Sequence, residues 1–384
     1  MRVVTVEHAV AAPLCTRHLA DLGADVVKIE HPRGGDLARG YDSVVRGQSA
    51  YFVWANRGKR SAALDLRDGR DYAVLVALLD RADVFVHNLG PGAVGRLGLD
   101  RETVSERWPA LIDCSISGYG DNGVYADRKA FDLLIQGEAG LISVTGTADT
   151  PCKVGISVAD MCAGIYAFGA IVVALREREQ TGQGGYLDIS LLECLAEWMM
   201  APAYHQMYAG RQPTRAGARH NMMVPYGTYA VGDGREINLA VQSDQQWRRF
   251  CTQVLDRPQF AEDPRFATNE QRVRHRDELE PLIEAVFTDL GEQEVHRRLS
   301  AADIPVATVN DLADLIEHPQ LHARGRWFDV DSPAGPIRAL RSPFSLANDH
   351  DRGPIPALGE HTDAIRAEVG LSPSGRTSST TEAR

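Results

Sequence analysis

The sequence predicts an α/β protein with a Rossmann-like large domain and a smaller α+β domain. Short apolar strands alternate with amphipathic helices through the first half of the chain, which is the pattern of a parallel sheet covered by helices on both faces. Beyond residue 220 this pattern gives way to one alternating strand and several amphipathic helices. The length of 384 residues is also sufficient for two domains.

In the large domain, each strand is a short buried-type run and each helix has an apolar face. The predicted strands are 3–6, 24–29, 61–66, 84–87 and 111–116, and the predicted helices are 14–22 and 69–81. Ligands of such sheets bind at the carboxyl ends of the strands. We therefore expect the functional site in the loops after Val6, Ile29, His87 and Ile116.

The middle and the C-terminal parts of the chain complete the prediction. A helix rich in small residues is expected from Asp160 to about Gln180, packed closely against a neighbour, and a strand followed by a helix over 186–210. The small domain should span about 222–325, with a strand at 236–241, helices at 244–255, 278–290 and from 292, and a polar helical run at 257–276. The segment 372–384 is poor in apolar residues, so we expect a flexible tail.

Composition excludes several classes of function. The chain has 41 basic and 52 acidic residues, a net charge of −11, and no basic run, so nucleic acid is not an expected partner. No uninterrupted apolar stretch reaches the roughly 18 to 20 residues of a membrane helix. The six cysteines form no CxxC pair, so we expect neither disulfides nor a metal site. Glu7 and His8 interrupt the N-terminal apolar run, which argues against a signal peptide, and we expect a cytoplasmic protein.

Two glycine motifs suggest chemistry that other features oppose. Gly90, Gly92 and Gly95 match the dinucleotide fingerprint GxGxxG, but Gly98 interrupts the helix it needs and Pro91 removes an amide that would face a pyrophosphate. The segment 155–159 is one residue short of the GxSxG elbow of hydrolases, with Ser157 as nucleophile and His205 or His220 as base. The strand that should precede an elbow is weak, at 152–154.

Asp160, at the predicted start of the small-residue helix, has two interpretations. An aspartate there commonly caps the helix by accepting backbone N–H bonds. A carboxylate held at a helix start among apolar residues can also act as a covalent nucleophile. From the residue alone the cap is the commoner role.

Basic residues occur repeatedly in the segments that flank the predicted strands. Each taken alone would be a solvated surface charge, but together they suit a phosphorylated ligand at the edge of the sheet. These residues are Arg33, Arg39, Lys59, Arg60, Arg96, Arg128 and Lys129.

Read in order, the loops resemble the class III CoA-transferase family, which includes formyl-CoA and carnitine-CoA transferases and also the α-methylacyl-CoA racemases. The resembling blocks are Ala12-Pro13, LADLGADVVKIEHPRGGD (19–36), NRGKRSAALDL (56–66), ADVFVHNLGPGAVGRLGL (82–99), SGYG (117–120), QGEAGLISVTG (136–146), VGISVADMCAGIYA (154–167) and LGEHTD (358–363). They span nearly the whole chain.

The resemblance implies an interlocked homodimer that uses CoA thioesters as substrates. It makes the large domain 1–200, completed by 336–371 after linkers at 201–221 and 326–335, and it makes Asp160 the catalytic residue. The implied CoA-binding residues are Val10, Ala11, His31, Arg39, Lys59, Arg60, Asn88, Leu89, Arg96, Lys129 and Asp132. The expected substrate contacts are Phe131, Gln136, Gly137, Glu138, Arg219, His220 and Asn221.

Departures from the family pattern narrow the expected reaction. The racemases use a His at the position of Phe131, so the alternative function, an acyl-CoA racemase or isomerase, is disfavoured. Val10 stands where formyl-CoA transferase has a Gln, and the region 220–235 lacks a glycine-rich flap, which argues against oxalate and formate. We therefore expect transfer of CoA between carboxylic acids without a metal. Arg219, His220 and Asn221 offer polar groups that would meet a second carboxylate, so a small (di)carboxylic acid is the expected acceptor.

Overall fold

A computed structural model describes residues 1–344 and 353–371 of the chain. The described residues form two compact units, of which the first contains 1–139, 155–198 and the residues from 321 onward. The second contains 140–154 and 199–320. This grouping places 140–154 with the second unit, whereas the sequence predicted a continuous large domain over 1–200. The predicted tail 372–384 lies outside the described residues.

The first unit is built on a six-stranded parallel sheet with the strand order β3-β2-β1-β4-β5-β6. This is the order of a doubly wound Rossmann sheet, so the predicted mixed α/β fold is confirmed. The strands are β1 (Arg2–Val6), β2 (Asp25–Glu30), β3 (Lys59–Ala63), β4 (Val84–His87), β5 (Ile112–Ser117) and β6 (Gly185–Ser190).

Helices cover the sheet of the first unit and form most of the regular secondary structure of the second. In chain order they are α1 (Ala11–Asp21), α2 (Ala50–Asn56), α3 (Gly69–Leu79), α4 (Ala93–Arg96), α5 (Arg101–Arg107), α6 (Asp132–Glu138), α7 (Leu141–Val144), α8 (Val158–Thr181), α9 (Leu191–Trp198), α10 (Met200–Ala209), α11 (Asp244–Arg249), α12 (Gln259–Glu262), α13 (Asn269–Arg274), α14 (Arg276–Thr288), α15 (Glu292–Ala301), α16 (Leu312–Ile316), α17 (Pro319–Ala323) and α18 (Thr362–Glu368). A 3₁₀ turn occupies Leu37–Gly40 and a π turn Phe250–Val254.

The small residues of α8 allow it to pack closely against α1. A Cβ atom added to Gly164 would lie 2.7 Å from the carbonyl oxygen of Ala11 and 3.3 Å from Leu14. Any larger residue at Gly164 would push the two helices apart. The close packing predicted from Gly and Ala in this stretch is therefore present, and it fixes the start of α1 beside the first turns of α8.

The expectation that no segment is apolar enough for a membrane helix was wrong for α8. Its best 18-residue window has a mean hydropathy of 2.0, which passes the test of length and composition. The expectation counted only uninterrupted apolar residues. A core helix of a globular protein passes the same test, and 39% of that window is buried within this chain.

The C-terminal segment returns to the first unit. Backbone and side-chain bonds connect α18 and the turn before it to β3: the N–H of His361 donates to the Ser61 carbonyl at 2.9 Å, and the N–H of Ala63 donates to the Thr362 hydroxyl at 2.9 Å. A hairpin of β10 (Trp327–Val330) and β11 (Ile337–Leu340) precedes this segment.

The second unit has a three-stranded antiparallel sheet in the order β7-β8-β9. Its strands are β7 (Tyr226–Ala230), β8 (Glu236–Ala240) and β9 (Val306–Thr308). The sheet and its helices enclose one apolar core that includes Tyr229, Trp247 and Phe287. This is the α+β arrangement that the alternating strand and the amphipathic helices predicted.

Candidate active site

The loop after β1 lies at the carboxyl edge of the sheet and is held by its two neighbours. The side chain of Asn88, which follows β4, accepts a hydrogen bond from the His8 N–H at 2.8 Å and donates one to the His8 carbonyl at 2.8 Å. Asp36, which follows β2, accepts from the Ala9 N–H at 2.9 Å. The first loop, residues 8–10, is thus fixed where the sequence placed the site.

Beneath the first loop, Glu7 lies in a fully compensated charge cluster. Its carboxylate accepts from Lys59 at 2.7 Å and Lys28 at 3.2 Å, and also from the hydroxyls of Thr5 and Thr16. Burial alone would raise the pKa of Glu7, but the two lysine charges outweigh burial and lower this pKa to about 2. Glu7 is a permanent anion that neutralises the interior lysines.

Lys59 does not lie in the position that the resemblance implied. Its side chain is wholly buried, and its ammonium donates to Glu7, to the Pro13 carbonyl at 2.9 Å and to Asn56 at 3.0 Å. These three bonds use all the protons of an ammonium group. Burial also lowers the pKa of Lys59 to about 8. In this arrangement Lys59 supports the loop from inside and has no proton left for a phosphate.

Arg60 and Arg39 are likewise engaged within the chain. Arg60 lies in β3 and donates to Asp25, at the amino end of β2, at 2.8 and 2.7 Å, so its guanidinium is at the opposite edge of the sheet from the site. Arg39 makes two bonds of 2.7 Å to Glu30 and stacks 3.6 Å from the centre of the Phe52 ring. Both arginines are structural in these positions rather than free ligands for CoA.

The other predicted CoA contacts differ in how accessible they are at the carboxyl edge of the sheet. Arg96 and Lys129 are exposed and form no ion pair among the described residues. His31 is 38% exposed, with its Nε2 3.9 Å from Asp65. Leu89 is half-buried against the core beside β4. Val10 and Ala11 are buried at 3% and 2% exposure.

The start of α8 is capped by a residue distant in sequence. The Ala159 N–H donates to Oδ1 of Asp132 at 2.8 Å, and Oδ2 of Asp132 accepts from the Gln136 amide at 2.7 Å. Ser157, which precedes the helix, makes no side-chain cap. Asp160 is the third residue of α8 and not its N-cap, so the common role considered for it is wrong.

Asp160 is therefore a carboxylate without a compensating charge. Among the described residues, its side chain has no hydrogen bond and no ion pair. Burial raises the pKa of Asp160 to about 7, with a further contribution from the negative charge of Asp132. A carboxyl group whose pKa is raised in this way by burial and by a like charge is typical of a catalytic group rather than of a structural one.

Two observations place the first loop and an unpredicted tyrosine near Asp160. Gly164 lies one helical turn after Asp160 on the same face and touches the Ala11 carbonyl, so the end of the first loop is beside Asp160. The negative charge of Asp160 also contributes to the raised pKa of Tyr41, after burial and the charge of Asp36. The sequence analysis missed Tyr41, whose ring packs edge-on against that of Tyr51 in α2 with the ring centres 5.9 Å apart.

The residues around α6 gather at the same helix start. Gln136 is buried and orients Asp132 by donating a hydrogen bond to its carboxylate. Phe131, the residue before Asp132, is 64% exposed. Gly137 and Glu138 end α6 and are exposed. Of the predicted substrate contacts, Gln136 is linked by hydrogen bonds to the start of α8, through Asp132 and the Ala159 N–H.

In the second unit, Arg219 is already neutralised. Its guanidinium pairs with Glu280 and Glu284 and lies 4.6 Å from the centre of the Tyr229 ring. The His220 ring stacks on that of Tyr226 with the ring centres 5.0 Å apart, and its Nδ1 accepts from the Met222 N–H at 3.1 Å. Asn221, the residue between His220 and Met222, is half-buried. The expectation that Arg219 would be free to receive a second carboxylate is therefore wrong in this arrangement.

The two alternative motifs do not have the geometry that their chemistry needs. Over 147–157 no strand leads into α8, and Ser157 has an unstrained φ of −76°, so it is not a hydrolase elbow. The helix after Gly92 has four residues, too short for a dinucleotide fingerprint. Over 1–344 and 353–371, no three His, Cys, Asp or Glu side chains are grouped to hold a metal.

The fold and the site define a class: an α/β protein of Rossmann-like topology that has a carboxylate with a raised pKa, Asp160, in its first unit. Within this class, the model of CoA-transferase family III matches residues 1–362, and the chain belongs to that family.

Curated relatives and a solved structure agree with this membership. The chain is 34% identical to the succinate–glutarate CoA-transferase of Agrobacterium fabrum, covering 96% of this chain and 94% of the relative. It is 32% identical to the acetyl-CoA:oxalate CoA-transferase of Acetobacter aceti, covering 95% and 94%. A CAIB/BAIF family protein from Brucella suis superposes with a TM-score of 0.82 at 34% identity, covering 96% and 98%. The protein is a CoA-transferase, and these relatives support CoA transfer between carboxylic acids.

Proposed function

We propose that this enzyme moves CoA from an acyl-CoA thioester to a free carboxylic acid through covalent intermediates on Asp160. The observation that carries the proposal is the environment of Asp160: no residue that the structure describes supplies it with a compensating charge, and its pKa is raised to about 7. A carboxylate in that state is a better nucleophile than a fully ion-paired one.

The reaction divides into balanced covalent steps. An Asp160 carboxylate oxygen attacks the donor thioester carbonyl, and the C–S bond breaks to give an aspartyl–acyl anhydride and the CoA thiolate. The thiolate then attacks the aspartyl carbonyl, which releases the donor as a free carboxylate and leaves an aspartyl-CoA thioester. The acceptor carboxylate attacks this thioester, and the same two steps in reverse give the new acyl-CoA and free Asp160. The thioester energy is kept throughout.

The local electrostatics allow Asp160 both to carry a negative charge and to lose it during the reaction. The first turn of α8 favours its anion through the helix dipole. The neighbouring Asp132 and partial burial oppose the anion, so charge is readily lost when Asp160 forms the anhydride. The site therefore does not hold the nucleophile in an over-stabilised ground state.

CoA is proposed to lie across the loops after β1, β2 and β4. Val10, Ala11, His31, Asn88, Leu89 and Asp132 would line its path, and Arg96 and Lys129 would meet its phosphates as exposed, unpaired cations. Lys59 and Arg39 are assigned to the support of these loops, and Arg60 to the opposite edge of the sheet, because their charges are engaged inside the unit.

The interlocked homodimer and the cytoplasmic location are part of this proposal. Apolar residues of α8 that face solvent in the single chain, including Val172 at 46% and Val173 at 66% exposure, support coverage by a second chain. Cover of that kind would exclude water from the anhydride, which would otherwise hydrolyse. We propose no membrane and no nucleic-acid partner.

The acceptor is proposed to be a small dicarboxylic acid. Relatives at 34% and 32% identity are named for succinate and glutarate and for oxalate. Because Arg219 is paired with Glu280 and Glu284, a second carboxylate would have to be recognised by other groups.

A donor–acceptor matrix tests the proposed function. Succinyl-CoA and acetyl-CoA are each incubated with glutarate, mesaconate, oxalate, succinate and monocarboxylic acids, and the CoA esters are identified by mass spectrometry. We expect new CoA esters of a dicarboxylic acid at a rate far above thioester hydrolysis. Hydrolysis without transfer for every acceptor would contradict the proposal.

The racemase alternative has its own test at Phe131. Incubation with a 2-methylacyl-CoA in heavy water should give almost no α-deuteration, because Phe131 cannot carry a proton. Exchange as fast as CoA transfer would contradict the assignment.

A further inference from the structure

Ala9, in the middle of the first loop, has an unusual backbone. Its φ is +64°, in the left-handed region that residues other than glycine rarely occupy. Such a conformation persists only where the surroundings fix it, and it is enriched at functional sites. Ala9 also lies directly before Val10 and the start of α1, which packs beside the first turns of α8.

The peptide between His8 and Ala9 is bound at both of its polar atoms. Its N–H, on Ala9, donates to Oδ1 of Asp36 at 2.9 Å. Its carbonyl, on His8, accepts from the Asn88 amide at 2.8 Å. With both atoms bound from neighbouring loops, this peptide plane cannot rotate, and rotation is what would release Ala9 from the left-handed region.

Asp36 is itself held rigidly. It is 1% exposed, and its Oδ2 accepts from Lys28 at 2.6 Å. Oδ1 accepts a second backbone N–H, from Ala38, at 2.9 Å. Hydrogen bonds to an ionised acceptor are shorter and stronger than neutral ones. The buried charge of Lys28 thus ties Asp36 to the interior, and Asp36 ties the first loop.

We propose that Asp36 is a positioning residue that, together with Asn88, clamps the His8–Ala9 peptide and so preforms the first loop to receive acyl-CoA beside Asp160. The inference rests on the proposed function for the identity of the ligand. The clamp itself is a property of the apo chain and can be measured without turnover.

The main variant is Asp36→Asn, which keeps an acceptor oxygen but removes the charge and turns an amide toward Lys28. Without the clamp, only a minor fraction of the molecules should have the first loop in the conformation that binds acyl-CoA, and the apparent affinity falls in proportion to that fraction. We therefore expect KM for the acyl-CoA to rise about tenfold, with kcat within about threefold of the wild-type value.

The decisive companion is the double variant Asp36→Asn with Ala9→Gly. Glycine adopts a positive φ without steric cost, so it should restore KM to within about threefold of the wild-type value. The matched control is Asp36→Asn with Asp303→Gly, because Asp303 also has a positive φ, 56°, but lies in the second unit. That control should not rescue KM.

Asn88→Ala removes the other half of the clamp and tests it if Asp36→Asn does not fold. A raised KM that Ala9→Gly restores supports the clamp, whereas a raised KM that Ala9→Gly leaves unchanged means that Asn88 contacts CoA directly and overturns its part in the clamp.

Hydrogen exchange of the apo protein separates the clamp from the proposed function. The amide of Ala9 should exchange at least about tenfold faster in Asp36→Asn than in the wild type, since it loses a charged acceptor. This holds even for a wild type that transfers no CoA, an outcome that would remove the proposed function alone. Unchanged exchange and KM in folded Asp36→Asn, or equal rescue by Asp303→Gly, would overturn the clamp.

Discussion

Glu7 and Asp160 are two carboxylates of the same unit in opposite environments. Glu7 faces two lysines and two hydroxyls, which lower its pKa to about 2 despite complete burial. Within residues 1–344 and 353–371, Asp160 faces another carboxylate and no cation, and its pKa rises to about 7. The comparison shows how the surroundings of two carboxylates in one unit make one of them a structural, ion-paired group and leave the other available for the proposed chemistry.

The difference extends to the surroundings of each carboxylate. Around Glu7, Lys28 also binds Asp36 and Lys59 also binds the Pro13 carbonyl, so the cluster stabilises the loop above it. Around Asp160, the neighbouring Asp132 accepts from the Ala159 N–H and from Gln136, and as a second carboxylate it offers Asp160 no compensating charge. Each of the following predictions tests one side of this contrast.

The largest expected effect is on activity at Asp160. Asp160→Asn removes the attacking anion while keeping shape, so CoA transfer should fall by about 10³-fold or more while acyl-CoA still binds. The matched control is Asp100→Asn, since Asp100 caps α5 through the Thr103 N–H at 3.0 Å. Activity retained in Asp160→Asn would return Asp160 to a structural role.

The next effect is on stability at Glu7. Glu7→Gln leaves Lys59 and Lys28 short of a buried counter-charge and should lower the free energy of unfolding by about 3 to 5 kcal/mol, measured by urea denaturation. Glu294 is the control, because its pKa is also about 2 but it pairs with Arg297 and Arg298 on the surface. If Glu294→Gln and Glu7→Gln destabilised equally, burial would not be the source of the effect.

The two carboxylates should affect stability in opposite directions with pH. The pKa of Asp160 is higher in the folded chain than its ordinary value of 3.8, so its ionisation costs stability progressively from about pH 4 to pH 7. Asp160→Asn should therefore be more stable than the wild type by about 1 to 3 kcal/mol at pH 8 and equal at pH 4. The Glu7 carboxylate stabilises the folded chain fully at pH values above its ordinary pKa of 4.5, and this stabilisation is lost as the pH falls toward 2. Melting temperatures from pH 2 to 8 for the wild type and both variants would show both effects, and parallel curves over that whole range would contradict the contrast.

The smallest effect is on the pH profile, at Asp132. Asp132→Asn keeps the acceptor for the Ala159 N–H but removes the charge that contributes to the raised pKa of Asp160. The acid limb of kcat/KM should move to lower pH by about one unit. An unmoved limb in a folded, active variant would mean that burial alone sets this pKa.

The sequence predicted the sheet and the meeting of its loops at the carboxyl edge because both follow from local patterns. β4 has its predicted bounds, and the loops after β1, β2 and β4 do meet. Partners remote in sequence were not predictable in the same way. Lys59 is neutralised by a residue 52 positions earlier, and α8 is capped by one 27 positions before Ala159.

The same limit explains the other corrections. Arg60 was read as a residue of the site, but β3 begins at Lys59 and directs Arg60 toward Asp25 at the other edge of the sheet. Arg219 carries a charge in the sequence that Glu280 and Glu284, 61 and 65 positions later, neutralise in the fold. A sequence shows which side chains are charged, but whether such a side chain is free to bind a ligand depends on its ion-pair partners in the fold.

The most direct test of the account is the site of covalent modification during turnover. The wild type is incubated with succinyl-CoA, quenched with hydroxylamine or borohydride, digested and mapped by mass spectrometry, with Asp160→Asn treated in parallel. The account predicts modification at Asp160 alone in the wild type and none in the variant, because only an activated carboxyl reacts with these reagents. Modification at Ser157, Cys162 or Asp132 instead, or none during active CoA transfer, would contradict it.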